Sequence, residues 1–220
     1  MKISQIELLA GDPHALGNFY SAVLELPVRE QEDLTVEAGE TRLVFRQAPP
    51  GWEGYYHFAF NVPENCFDEA KRWLAGRVPL IADTAGKTEF DFQSWNAHSI
   101  YFYDPAGNIL EFISRHGLPN ASDQPFSARG ILNASEIGIA TSDVISTVQG
   151  LRDKYGFPVY GGEGSDQFTA VGDEHGLMIV VRLGRTWFPD TGKPAGPYPV
   201  KLTVQTPEED KQEIDFDFGL

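Results

Sequence analysis

The chain has 220 residues, 41% hydrophobic and 12% aromatic, enough to bury one large core or two small ones. Its 32 acidic and 17 basic residues leave a formal net charge of −15, which excludes the cationic surface that nucleic-acid binding requires. No run approaches the roughly 18 apolar residues of a membrane-spanning helix, so no membrane partner is expected, and a single cysteine, Cys66, excludes an internal disulfide.

Cys66 lies among Glu64, Asp68 and Glu69. Their charge holds a thiol protonated and argues against a nucleophile. Met1–Lys2–Ile3–Ser4 enters a strand pattern directly, without a charged-then-apolar leader, so a cytoplasmic location is expected. Acid at Glu30, Glu32 and Asp33 and in Glu208–Glu209–Asp210 is expected on solvated surface.

In chain order, residues 2–9 read as a strand and 13–25 as a helix, with Leu16, Phe19, Tyr20, Val23 and Leu24 at helical spacing. Short alternating runs at 27–31, 34–38 and 41–47 close this first unit before a Pro-Pro-Gly turn at 49–51. The second unit has a strand at 55–61, a helix over 64–75 and strands near 78–82, 97–103 and 109–114. Between them, 83–96 alternates polar and aromatic residues and is expected to form a loop over a pocket. A Pro-, Ser- and Asn-rich stretch from His116 to Arg129 reads as a linker.

The third unit has a strand at 133–141, a helix over 143–155 and strands near 158–160, 167–172 and 177–183. Pro199–Val204 opens a fourth that is expected to stop there, followed only by an acidic tail. The order gives an α+β chain of about three and a half βαβββ units. The repeat is visible in spacing: Gln5 precedes Asp12 by seven residues, and Glu136 precedes Asp143 by seven. Each Asp stands where a helix N-cap is wanted. His57 and Lys201 each precede a proline, Pro63 and Pro207, by six. Gln5, His57, Glu136 and Lys201 therefore occupy equivalent places.

Tyr101–Phe112 reads as a hairpin around Asp104–Pro105–Ala106–Gly107–Asn108. Glu111 sits between Leu110 and Phe112, and His57 lies in the apolar run Tyr55–Phe60. A buried carboxylate needs a cation or several hydrogen bonds. The hairpin resembles the DPxGNxxEF signature of the vicinal oxygen chelate superfamily, which includes glyoxalase I, extradiol dioxygenases, fosfomycin-resistance transferases and bleomycin-binding proteins. Ile3–Leu8 with Gly11–Asp12 and Phe19–Leu26 is similar to that family's opening strand and helix, with Glu25 where glycine is usual.

The resemblance implies paired units that curl into cupped mixed sheets, the glyoxalase/bleomycin resistance/dioxygenase fold, with metal ligands on first and fourth strands. It implies a two-unit domain at 1–117, a linker at 118–130 and a divergent, incomplete domain at 131–220. Gln5, His57 and Glu111 fall on ligand positions of the N-terminal pair, for a divalent ion such as Zn, Ni, Mn or Fe. No fourth carboxylate occurs in Leu43–Arg46. Without a metal, His57 and Glu111 would hydrogen-bond each other. In the C-terminal half the equivalents are Glu136, Lys201 and Val180, with Glu136–Lys201 expected as a buried salt bridge.

Beside the cup, His98 is a candidate general acid/base, and Arg46, Tyr101 and Tyr103 are candidates for positioning an oxygen-rich substrate. His14 and His175 are expected in solvent. The segment Gly184–Ala195 holds Trp187 and Phe188 among turn formers. It is expected either to pack between the third unit and the last strand or to cover an edge or a partner's cup. The function implied is a divalent-metal enzyme acting on a small molecule with vicinal oxygens. The alternative is a metal-free binder of aromatic or drug-like ligands of the bleomycin-resistance type. A homodimer is compatible with either.

Overall fold

The computed structural model describes residues 1–206 and 210–217. Pro207 and Glu208–Glu209, named above for the repeat and the acidic tail, lie outside them. The elements run β1 (Lys2–Ala10), α1 (Pro13–Ala22), β2 (Val28–Glu30), β3 (Leu34–Ala38), β4 (Thr41–Gln47), β5 (His57–Val62), α2 (Phe67–Ala75), β6 (Phe90–Phe92), β7 (Ala97–Tyr103), β8 (Ile109–Arg115), β9 (Asn133–Thr141), α3 (Val144–Tyr155), β10 (Val159–Tyr160), β11 (Phe168–Asp173), β12 (Gly176–Arg182), β13 (Val200–Gln205) and β14 (Lys211–Phe216). The repeat shows in the caps: Asp12 accepts from the Ala15 amide and Asp143 from the Ser146 amide, both at 3.0 Å.

Two mixed sheets result. One has the order β14-β13-β1-β4-β3-β2, the other β10-β11-β12-β9-β5-β8-β7-β6. The second unit therefore pairs with the third, through β5 and β9, and the first pairs with the fourth, through β1 and β13. This corrects the expectation that the first two units share a cup: pairing crosses the boundary at 118–130. Burial gives the physical reason. All six residues of β5 are buried, as suits a strand covered on both faces at the middle of the larger sheet. In β1, exposed and half-buried residues recur between buried ones, as suits a sheet with one face toward water. The acidic end is also more than a tail, since β14 pairs with β13 along its whole length.

Both seams carry a bulge at the same repeat position. On β9, Glu136 opposes Ala59 and Ala134 opposes Phe60, which leaves Ser135 as the extra residue. On β1, Gln5 opposes Thr203 and Ile3 opposes Val204, which leaves Ser4. A bulge adds twist and re-aims the next side chain. The sheets meet where Thr41 Oγ1 donates to the Ile3 carbonyl at 2.6 Å and accepts from the Ala134 amide at 2.9 Å. Gly39, in the β3–β4 turn, has φ +60°, and a Cβ there would lie 1.9 Å from the Leu132 carbonyl oxygen. Only glycine fits that approach.

The Asp104–Asn108 turn is a lock. The Asp104 carboxylate accepts from the Ala106 and Asn108 amides at 3.0 Å each, from Asn108 Nδ2 at 2.8 Å and from the Tyr20 hydroxyl at 3.0 Å. Asn108 Oδ1 in turn accepts from the Tyr56 amide at 2.8 Å, one residue before His57. The motif thus ties α1, the hairpin and β5 together.

Burial raises the Asp104 carboxyl to about 6, against the opposing pull of its donors. A raised folded-state pKa means stability that is full below the ordinary value of 3.8 and lost as pH rises through about 6. The group therefore favours folding by about 2 kcal/mol more at pH 4 than at pH 7, at 1.36 kcal/mol per unit. In urea unfolding, the stability gap between wild type and Asp104→Asn should widen by about that amount between pH 7 and 4. A constant gap would contradict it. Gly39→Ala should cost about 2 kcal/mol or more in the same assay at any pH.

Candidate functional site

Strand alternation sorts the larger sheet into two faces. Leu110 and Phe112 of β8, Phe58 and Phe60 of β5, and Ile137 and Ile139 of β9 belong to the core that α2 and α3 cover. The opposite face carries His57, Tyr101, Ile109, Glu111, Glu136 and Ile179, and it curves around a cavity of about 300 Å³. All eight strands come from one chain, so this cup is complete without a partner.

At its buried end His57, Glu111 and Glu136 each offer a ligand atom, all within 4.8 Å of one another. His57 Nδ1 bonds the Ile109 carbonyl at 3.0 Å, which makes Nδ1 the protonated nitrogen and leaves the Nε2 lone pair free. Burial lowers its pKa to about 4, so the ring is neutral near pH 7. Nε2 lies 3.7 Å from Glu111 Oε2. That is too long for a hydrogen bond, and close to the roughly 3–3.5 Å between two ligands of one ion. The donor set of one imidazole and two carboxylates fits a divalent metal without requiring one element.

Burial pushes the Glu111 carboxyl well above its ordinary range. The Glu136 carboxylate pushes the same way, and Ser99, Arg115 and Tyr101 oppose. Glu136 is also raised by burial, against its ion pair with Arg115. Arg115 is fully buried and lies under the Trp95 ring, 5.4 Å from its centroid. Its Nε and Nη1 have no hydrogen-bond partner among the described residues. The Tyr101 phenol is held protonated, chiefly by burial and then by the Glu111 charge.

The sequence expectations fare unevenly. His57, Glu111 and Tyr101 are brought together. Gln5 is not: it lies on β1 in the other sheet, half-buried, and donates to Glu7 at 2.9 Å. Glu136, its repeat equivalent, stands beside His57 instead, because the second unit pairs with the third. Lys201 is exposed and bound to Asp215 at 3.2 Å, so the expected Glu136–Lys201 bridge gives way to Glu136–Arg115. On β12 the position equivalent to Glu111 is Ile179, not Val180: Ala59 opposes Glu111 as Gly138 opposes Ile179.

His98 alternates to the other face of β7, against Phe67 and His116, so it does not line the cavity. Arg46 is exposed on β4 beside Asp33, and Tyr103 lies outside the cavity under Lys193. His14 and His175 are exposed, and Cys66 is buried with its thiol pushed up by burial and by Glu69 and Glu64.

Sequence reasoning missed Arg115, although alternation from Glu111 through Ile113 puts it on the same face. It expected the 184–195 segment to pack between the third unit and the last strand or to cover an edge or a partner's cup. That segment folds over this chain's own cup: Trp187 lies 4.9 Å from the His57 ring, and Phe188 contacts Phe90, Phe92 and Tyr101. Gly138 leaves room for the Trp187 ring, which a Cβ would meet at 2.4 Å. Phe92 and Trp95 of the 83–96 segment line the same cavity.

No protein-family model matches the chain, and no curated protein matches its sequence. Among solved structures, a Bacillus subtilis protein described as a "putative dioxygenase" superposes with a TM-score of 0.62 at 17% identity, over 95% of this chain and 72% of its own. The V278E mutant of Zea mays glyoxalase I superposes with a TM-score of 0.54 at 12% identity, over 97% of this chain and 92% of its own. The likeness extends over both sheets, and the chain has the glyoxalase/bleomycin resistance/dioxygenase fold.

Proposed function

We propose that this protein is a divalent-metal-dependent enzyme acting on a small molecule with vicinal oxygens, and that His57, Glu111 and Glu136 would hold the ion. The observation that carries this reading is a charge deficit. Of the two buried carboxylates only Glu136 has a guanidinium bonded to it, Arg115; Glu111 faces a neutral imidazole, and Arg185, half-buried in the same cavity lining, bonds neither carboxylate. An excess negative charge in an apolar cavity needs a proton or a cation. The glyoxalase and dioxygenase names of the structural neighbours support an enzyme of this class.

A bound divalent ion would supply Lewis-acid polarisation of a substrate oxygen. The chain's own residues do the rest. The Ile109 carbonyl fixes the His57 tautomer. Arg115 holds Glu136 in place by its ion pair. Tyr101 keeps an O–H beside Glu111. Trp187 and Phe188 cover the cavity and restrict water.

Elemental analysis of purified or reconstituted protein tests the site directly. Wild type should retain close to one equivalent of Fe, Ni, Mn or Zn, and His57→Ala, Glu111→Gln and Glu136→Gln should each lose it. No metal retained by any preparation would overturn the reading. Affinity should also depend on pH with a definite sign. The raised Glu111 carboxyl binds a proton that competes with the ion, so affinity falls on acidification, by up to about tenfold per unit. The fall should begin above the ordinary glutamate range, as followed in wild type by competition with a chelating dye, and an onset confined to that range would contradict it.

A further inference from the structure

The cavity holds a cation that the metal reading does not use. Arg185 lines it from the 184–195 segment, half-buried. Among the described residues its guanidinium makes no ion pair and no hydrogen bond, and its nearest recorded partner is the Phe168 ring, 5.3 Å from the centroid. Of the nine other arginines, Arg42, Arg46, Arg77 and Arg115 have a carboxylate within 4 Å, and Arg29, Arg72, Arg129, Arg152 and Arg182 have none among the described residues. Those five are not among the cavity's lining residues. Arg185 therefore pays desolvation without a partner, in a chain with 32 acidic residues to choose from.

The rest of the wall is aromatic: Phe92, Trp95, Phe168, Trp187 and Phe188. At about 300 Å³ the space is at the lower end for small-molecule sites, room for one substituted ring rather than an extended conjugate. Arg185 lines the same cavity as the buried His57, Glu111 and Glu136. An anionic group on Arg185 would thus leave the remainder of a short ligand between the aromatic walls and the His57–Glu111–Glu136 end.

We propose that Arg185 is the specificity-determining residue of this cavity and selects a compact aromatic carboxylate. This rests on the cavity being the substrate site of the proposed enzyme, but not on the metal being bound. A planar guanidinium grips a carboxylate through paired N–H donors, and flat walls favour a flat ring. The overall negative charge of the chain gives anions no long-range help, so discrimination has to come from a contact inside the cavity.

The test uses the whole chain stripped of metal by chelation. Two probes of equal shape are titrated, 2,3-dihydroxybenzoate and its neutral amide, with binding followed by calorimetry and by the fluorescence of Trp95 and Trp187. Wild type should bind the acid at least about tenfold more tightly than the amide. Arg185→Gln should abolish that preference while leaving amide binding unchanged, and Arg185→Lys should keep part of it. Thermal melting of both variants reports whether they fold. Failure of both probes to bind, equal binding of acid and amide, or a preference that survives in Arg185→Gln would each overturn the proposal. Glu111→Gln separates the two readings: it should lose metal and retain the acid preference. Loss of metal binding in wild type with the preference intact would overturn only the metal reading.

Discussion

The antiparallel seam between β5 and β9 is the constraint on which the rest depends. It joins the second unit to the third and so brings His57 and Glu136, 79 positions apart in the chain, to one end of one cavity. The bulge at Ser135 belongs to that seam and immediately precedes Glu136. The Asp104–Asn108 lock fixes the other side, since it holds the Tyr56 amide and sets β8 alongside β5 in register, His57 opposite Ile109. Two independent devices, one a bulge and one a turn, therefore aim the imidazole and a carboxylate at the same point.

Once aimed, these groups create an electrostatic problem that the surroundings only half solve. Arg115 neutralises one carboxylate, and its full burial removes water as a second solution. Ser99 and Tyr101 ease the charge on Glu111 without cancelling it. Replacing such a group by an apolar residue would commonly stabilise a fold. Its presence points to a functional use of strain that packing alone does not require.

Much of the fold was legible in the sequence, because its signals are local. Helix caps at Asp12 and Asp143, the alternation in β7 and β8, and the Asp104–Asn108 turn each declare themselves within a few residues. The partner of each unit did not, because strand pairing is a long-range choice between similar edges. Gln5 and Glu136 were recognised as equivalent, and both sit one residue after a bulge. Only the pairing decides which of them meets His57. The same choice turned the expected Glu136–Lys201 bridge into Glu136–Arg115. His98 failed for a more local reason: in β7 it stands one residue off the face that carries Ala97, Ser99 and Tyr101, and a one-residue step moves a side chain to the opposite face.

The walls of the cavity were harder still to read, since they come from irregular segments without period. Trp95 follows a short strand, Arg185, Trp187 and Phe188 sit in a turn-rich stretch, and nothing in their spacing marks a face. What fixes them is contact: Trp187 fills the space that Gly138 leaves open, and Phe188 closes against Phe90 and Tyr101. The strands thus supply the invariant part, a rigid floor with ligand-capable groups, and the loops supply shape and charge on top of it. On such a fold the chemistry of the floor can persist while substrate choice moves with a few loop side chains. An unpaired arginine on the covering segment is then where selectivity would be expected to reside.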